Sequence, residues 1–170
     1  GIRVDYGLTM YSGGGDITLR GRGLASAVPN GNGAWGVGFW SSNTGSSLIA
    51  DAGVGKFYME GISRATDTVS YKHGIVTNYG VNIKSAYAGA DAIQLIGTSS
   101  GTYAGYNYGI DLGAESSSAS INQIFTASGV GGGISMIGTG NEWSLLIRDP
   151  VKLSSEVFVT GTAEIGRAHV

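Results

Sequence analysis

Gly13-Gly-Gly-Asp-Ile-Thr-Leu-Arg-Gly21 is the stretch that decides the fold, because its pattern returns three times. The later copies are Gly53-Val-Gly-Lys-Phe-Tyr-Met-Glu-Gly61, Gly89-Ala-Asp-Ala-Ile-Gln-Leu-Ile-Gly97 and Gly131-Gly-Gly-Ile-Ser-Met-Ile-Gly138. Their closing glycines lie 40, 36 and 41 residues apart. Aligned on them, Ile17, Phe57, Ile93 and Ile134 form one column, and Leu19, Met59, Leu95 and Met136 another. Thr18, Tyr58, Gln94 and Ser135 stand between. Alternation with period two marks a strand with one buried face. The two apolar columns are therefore expected inside and the middle one outside. The glycines read as corner residues, where a positive φ is tolerated.

A second strand follows each copy. Trp35-Gly-Val-Gly-Phe39, His73-Gly-Ile-Val-Thr77 and Tyr108-Gly-Ile-Asp-Leu112 each place a ring, then Gly, then an alternating run. Tyr6-Gly-Leu-Thr-Met10 reads as an earlier, truncated copy of this pattern. Weaker third strands are expected at 47–50, 81–84 and 120–124, and another coil is expected to open between 151 and 160. One repeat is too small to bury its own apolar columns, whereas stacked repeats share a continuous core. The expected fold class is all-β, a parallel β-helix (β-solenoid) built from ~38-residue repeats. The repeats run over about 14–52, 53–88, 89–130 and 131–163, within a solenoid fragment spanning 1–163. Repeats of this length favour two coils each, about seven or eight coils in a rod ~35–40 Å long, over one coil with extended loops. The segments 24–33, 63–72, 98–107 and 113–118 vary in length and composition. They read as loops, where binding usually sits.

Composition agrees. Gly supplies 31 of 170 residues without a period of three, which excludes collagen. Charged residues are 13%, roughly half the usual share of about 25%, and the polar faces of surface helices need them. Hydrophobic residues at 42% exclude a disordered tail. A net charge of −2 offers no electrostatic footprint for nucleic acid or anionic lipid. No apolar run reaches the ~18 residues of a membrane helix, so membrane insertion is not expected. The start, Gly1-Ile-Arg-Val-Asp5, reads as that of an excised piece with no targeting segment. The last seven residues, Glu164-Ile-Gly-Arg-Ala-His-Val170, resemble the translation of a common sequencing adapter. They are expected to be a non-native tail in which Arg167 and His169 have no role.

Several motifs invite chemistry. Gly31-Asn-Gly-Ala-Trp-Gly36 matches G-x-G-x-x-G, but a strand pattern follows where a dinucleotide site needs a helix. Gly97-Thr-Ser-Ser-Gly101 matches G-x-S-x-G, again without the helix that a nucleophile elbow requires. Gly13-Gly-Gly-Asp16 has the flavour of a Ca²⁺ nonapeptide, yet Asp16 aligns with Lys56 and Ala92. With no Cys, zinc lacks ligands, and no cofactor is expected. Asp16, Glu60, Asp111 and Glu115 fall in different columns or loops and read as solvated charges rather than a catalytic pair. His73 reads as a surface or turn side chain. The expectation is therefore not an enzyme. Tyr103, Tyr106, Asn107 and Tyr108 cluster in one loop, where flat rings and an amide suit a sugar or a partner protein. They form the candidate partner-binding loop.

The strings "GGDITLRG", "GGISMIG" and "YGIDL", with "SLIADAG", resemble repeats of filamentous-haemagglutinin-type exoproteins over about residues 6–147. These are large Gram-negative adhesins secreted by the two-partner route or as autotransporters. The resemblance implies a right-handed shaft, secretion to the bacterial cell surface or beyond, and an outer-membrane transporter as partner during export. It also implies loops that meet a carbohydrate or a host-surface protein. The alternative is a polysaccharide-acting β-helix enzyme or a phage tailspike-like protein, which would show a groove of clustered acids or Arg with aromatics beside it.

Overall fold

The structure, a computed structural model, describes residues 1–5, 7–23, 34–40, 48–64, 72–78, 80–100, 106–113, 123–148, 151–154 and 156–161. The expected tail 164–170 lies outside them. The first coil comprises β1 (Ile2–Val4), β2 (Leu8–Tyr11) and β3 (Ile17–Gly23). The second comprises β4 (Trp35–Phe39), β5 (Leu48–Asp51) and β6 (Phe57–Ser63). The third comprises β7 (Lys72–Thr77), β8 (Val81–Ser85) and β9 (Ile93–Ser99). β10 (Asn107–Leu112), β11 (Gln123–Ala127) and β12 (Gly133–Thr139) form the fourth. β13 (Trp143–Ile147), β14 (Val151–Ser154) and β15 (Glu156–Gly161) form the fifth.

Each coil contributes one strand to each of three five-stranded sheets. Sheet A is β1-β4-β7-β10-β13, sheet B is β2-β5-β8-β11-β14, and sheet C is β3-β6-β9-β12-β15. The pairings run parallel throughout. The chain is thus a parallel β-helix. Ile17, Phe57, Ile93 and Ile134 stack in register, as do Leu19, Met59, Leu95 and Met136. All are buried except Leu19, which is half-buried in the first coil with a neighbouring coil on one side. Thr18, Tyr58, Gln94 and Ser135 face outward, partly or fully exposed. Sheets A and B complete the core with Val37, Ile75, Ile110, Leu48, Ile83 and Phe125 among others.

Four expectations are corrected. Each repeat takes one coil, not two, so the described residues form five coils in a stack about 20 Å tall at ~4.8 Å per strand step. The extra chain length lies between strands, as between β3 and β4 or between β4 and β5. The last step is much shorter: Ile134 pairs with Val157, only 23 residues on. The segment 131–163 accordingly holds four strands, β12 to β15. Second, Leu8 pairs with Leu48, so Leu8-Thr-Met10 belongs to the sheet B pattern rather than to that of sheet A. The first copy of the sheet A strand is β1, with Ile2 opposite Val37. Third, the strand expected at 120–124 lies at Gln123–Ala127.

The fourth correction concerns the closing glycines. Gly21, Gly61, Gly97 and Gly138 are not corners and do not have positive φ. They lie inside sheet C strands, where sheet A comes close. A Cβ on Gly97 would collide with the carbonyl oxygen of Gly109, one on Gly61 with that of Gly74, and one on Gly21 with that of Gly36. Two columns of glycine therefore face each other, and the sheets touch backbone to backbone along one edge of the core. The true corners join sheets B and C. There Gly13, Gly53 and Gly131 take φ of +67°, +56° and +66°, a region that penalises any side chain. At the same corner the Asp16 carboxylate accepts the Lys56 backbone N–H at 2.8 Å, and Lys56 Nζ meets Asp91 at 2.7 Å. The Asp16 ladder is thus hydrogen-bonded, with a lysine where a Ca²⁺ ladder would need a carboxylate.

Candidate functional site

The outer side of sheet A is the unusual surface. Every residue of β7 and β10 is buried, so the middle of this sheet is covered on both faces. Trp35, His73, Tyr108 and Trp143 stand in register across four coils. The His73 and Tyr108 ring centroids are 5.1 Å apart, and Tyr108 meets Trp143 edge-on at 6.5 Å. Trp35 stacks on Trp40 at 5.4 Å and carries the Arg3 guanidinium 5.2 Å above its ring. The strand at Trp143 was not anticipated. Its signal was a ring followed by a small residue, Trp143-Ser144, in place of ring-Gly.

Polar groups are buried against this ladder. Asp111 is fully buried and accepts two hydrogen bonds from Arg148, from Nε at 3.0 Å and Nη2 at 3.1 Å. That fork joins the fourth coil to the end of β13. His73 is 2% exposed, and its Nδ1 lies 4.0 Å from Asp111 Oδ2, too far for a hydrogen bond. Burial, aided by the Arg148 charge, lowers the His73 pKa to about 3, so the ring is neutral at pH 7. Burial likewise raises the Tyr108 phenol above its usual range, with Glu142 and Asp111 adding to the effect. Lys72 and Asn107 are register partners and are buried too. His73 and Asp111 are thus interior groups, not the surface or solvated side chains that the sequence suggested, and Lys72 is interior with them.

At the edge of this cluster stands Tyr106. It is 43% exposed and has φ +57°, rare for a bulky residue. Glu142 Oε2 accepts the backbone N–H groups of Tyr106 at 2.5 Å and of Asn107 at 3.3 Å, which holds the turn. The Tyr106 ring meets Tyr108 edge-on at 6.1 Å. Backbone strain that persists is found where surrounding structure enforces it, often at functional sites. The structure thus brings Tyr106, Asn107 and Tyr108 together and adds Glu142 and Trp143, while Tyr103 lies outside the described residues. Among the described residues of that loop, only Tyr106 offers a substantially exposed ring; Asn107 and Tyr108 are buried.

The acids are not gathered. Asp16 sits at a B–C corner, Glu60 lies on sheet C paired with Arg20 at 3.2 Å, and Asp111 is committed to Arg148, while Glu115 lies outside the described residues. Ser99, the serine of G-x-S-x-G, is buried at the end of β9 and donates to the Lys72 carbonyl at 2.9 Å, which makes it a structural hydroxyl. Among the described residues, no three His, Cys, Asp or Glu side chains form a metal-binding group. The chain matches no family model, and no curated protein or solved structure matches it.

The buried neutral histidine makes stability depend on pH. In the unfolded chain His73 takes a proton near pH 6.5, whereas in the folded chain it resists until about pH 3. Between those values the unfolded state binds more protons, so stability falls as pH falls. His73 should contribute a loss of about 1.4 kcal/mol per pH unit over that window. Urea unfolding at pH 6.5, 5.5 and 4.5 should give a shallower decline for His73→Phe than for the parent. Parallel declines would show that His73 is protonated in the fold.

Proposed function

We propose that this chain is an internal shaft segment of a large secreted or surface-exposed bacterial adhesin, without catalytic activity of its own. The observation that carries the reading is the unbroken parallel register of three columns of strands through five coils. Repetition of that kind makes a stiff body whose length grows with coil number, and every coil protects the backbone hydrogen bonds of the next. The resemblance of its repeat strings to filamentous-haemagglutinin-type exoproteins supports the same reading. Export through an outer-membrane transporter belongs to it. The long inter-strand segments at the A–B and C–A junctions, with Tyr106 at the end of one of them, supply the contact surface for a carbohydrate or host-surface protein.

Two measurements test this. The gene sequence flanking the chain should encode further repeats with a secretion domain upstream, or lie beside a transporter gene. An isolated enzyme gene there would overturn the reading. The protein should also bind to glycan or host-cell surfaces, and Tyr106→Asn should weaken that binding at least tenfold at an unchanged melting temperature. Asn tolerates the backbone conformation that Tyr106 adopts, so the variant removes the ring and keeps the turn.

A further inference from the structure

Three side chains that meet on the outer face of sheet A come from three consecutive coils. His73 stands on β7, Asp111 on β10 and Arg148 just beyond β13. Val76 pairs with Asp111 and Asp111 with Leu146, so the carboxylate lies between the third coil and the fifth. Coils added at either end would leave this arrangement in place. Arg148 holds Asp111 through its two-pronged fork, at 3.0 and 3.1 Å. His73 approaches the same carboxylate from the third coil. Its Nδ1 is buried, makes no hydrogen bond with the described residues and lies 4.0 Å from Asp111 Oδ2. Other groups surround the ring. Lys72 adjoins it in the chain, and Tyr108 faces it from β10, its phenol kept neutral by burial. Glu142, in the turn before β13, acts on that phenol. β4 brings Trp35, which does not titrate. β6 and β9 approach through the backbone at Gly61, Gly97 and Thr98, while Glu60 of β6 pairs with Arg20 on the outer face of sheet C. Among the described residues, Asp111 is the one anion within 4.0 Å of the His73 ring nitrogens.

We propose that Asp111 is an acid-operated clasp: protonation of His73 transfers its carboxylate from Arg148 to His73 and turns the Arg148 guanidinium out toward water. A buried imidazolium needs a partner, and an approach of about 1 Å gives it a charge-assisted hydrogen bond to Oδ2. Two cations then compete for one buried carboxylate, and they do not yield equally. His73 is 2% exposed and flanked in register by Trp35 and Tyr108, whereas a quarter of the Arg148 side chain already meets solvent. Arg148 is therefore the one that leaves. Linkage gives the same result. The Arg148 charge helps to lower the His73 pKa, so a proton on His73 weakens the Arg148 fork by the same factor. The fork is thus intact at pH 7. It loosens as pH falls from 6.5 toward about 3, where His73 takes its proton, and closes again on neutralisation. Such a clasp frees one junction between coils while the apolar columns of sheet C stay packed. The inference stands independently of the shaft reading, since it needs only three consecutive coils.

The test is an NMR titration of the whole chain from about pH 7.5 to about pH 3.5, a span that brackets the ordinary histidine range. The His73 ring shift, assigned by its loss in His73→Phe, reports the proton. Exchange of the Arg148 Nε–H, corrected for its intrinsic pH dependence, reports the fork. In the parent, protection of that N–H should fall at least about tenfold over the interval in which His73 titrates. In His73→Phe it should persist across the range. Arg148→Gln removes the competing charge and should raise the His73 midpoint by about half a pH unit or more. Arg20→Gln, on sheet C, should leave that midpoint as in the parent. Protection at Arg148 that does not change while His73 titrates would overturn the proposal, as would equal losses in His73→Phe and the parent. A fork that holds until the whole chain unfolds would do the same. The parent and His73→Phe decide the matter even where Arg148→Gln does not fold.

Discussion

Gly97→Val is expected to cost about 4 kcal/mol or more and to leave the chain largely unfolded at 37 °C. Added methylenes in an ordinary core cost about 1–3 kcal/mol, because side chains move aside. Here the obstacle is backbone. A Cβ at Gly97 meets the carbonyl of Gly109 and the Ile110 side chain, and Gly109 is itself fixed by sheet A pairing on either side. Making room means parting sheets A and C along the glycine columns, which opens the core at Ile75, Leu95 and Ile110. Gly131→Ala is the control. It sits at an open corner with φ +66° and nothing near its missing Cβ, so only the left-handed backbone penalty of about 1–2 kcal/mol applies. Urea midpoints of the two variants should differ severalfold in their shift from the parent. Similar shifts would mean that the glycine columns are turn residues after all.

Removing Asp111 should cost about 3 kcal/mol, the lower end of the range for breaking a buried ion pair. The carboxylate is fully buried, and its partner Arg148 has a quarter of its side chain exposed. After Asp111→Ala the guanidinium can turn partly toward water, which limits the loss. The pair also ties β10 to the end of β13, so the fifth coil should loosen before the others. Hydrogen exchange should show faster opening at 143–148 in the variant, with 93–97 little changed. A double-mutant cycle with Arg148→Ala should return a coupling of about 1–3 kcal/mol. Additive single losses would show that the fork seen here does not stabilise the fold.

Much of the architecture was legible because a solenoid repeats its own environment. Ile93 meets Phe57 on one side and Ile134 on the other, so each copy of the strand is selected for the same lumen, and alignment alone reveals it. The corner glycines at 13, 53 and 131 were legible for a related reason, since a left-handed turn leaves few residue choices. What escaped was whatever depends on how sheets meet. The glycines at 61 and 97 look like turn residues in sequence, because a close backbone approach and a positive φ demand the same residue. Five coils rather than seven or eight also escaped, because inserted segments stretch the spacing without adding strands.

The candidate site divides along the same line. Tyr106, Asn107 and Tyr108 could be picked out as a local cluster of rings and an amide. Glu142 and Arg148 could not, because they arrive from the next coil, 35 to 37 residues on. Nor does the pattern around His73 and Asp111 distinguish a buried outer face from a solvated one, since alternation reports only that one face is apolar. By itself the sequence determined the parallel β-helix, the columns that fill its lumen and the corners that turn it, since these recur in every coil. Only the tertiary structure decided the coil count, the contact between sheets A and C and the buried polar face of sheet A, because each depends on groups brought together from different coils or different sheets.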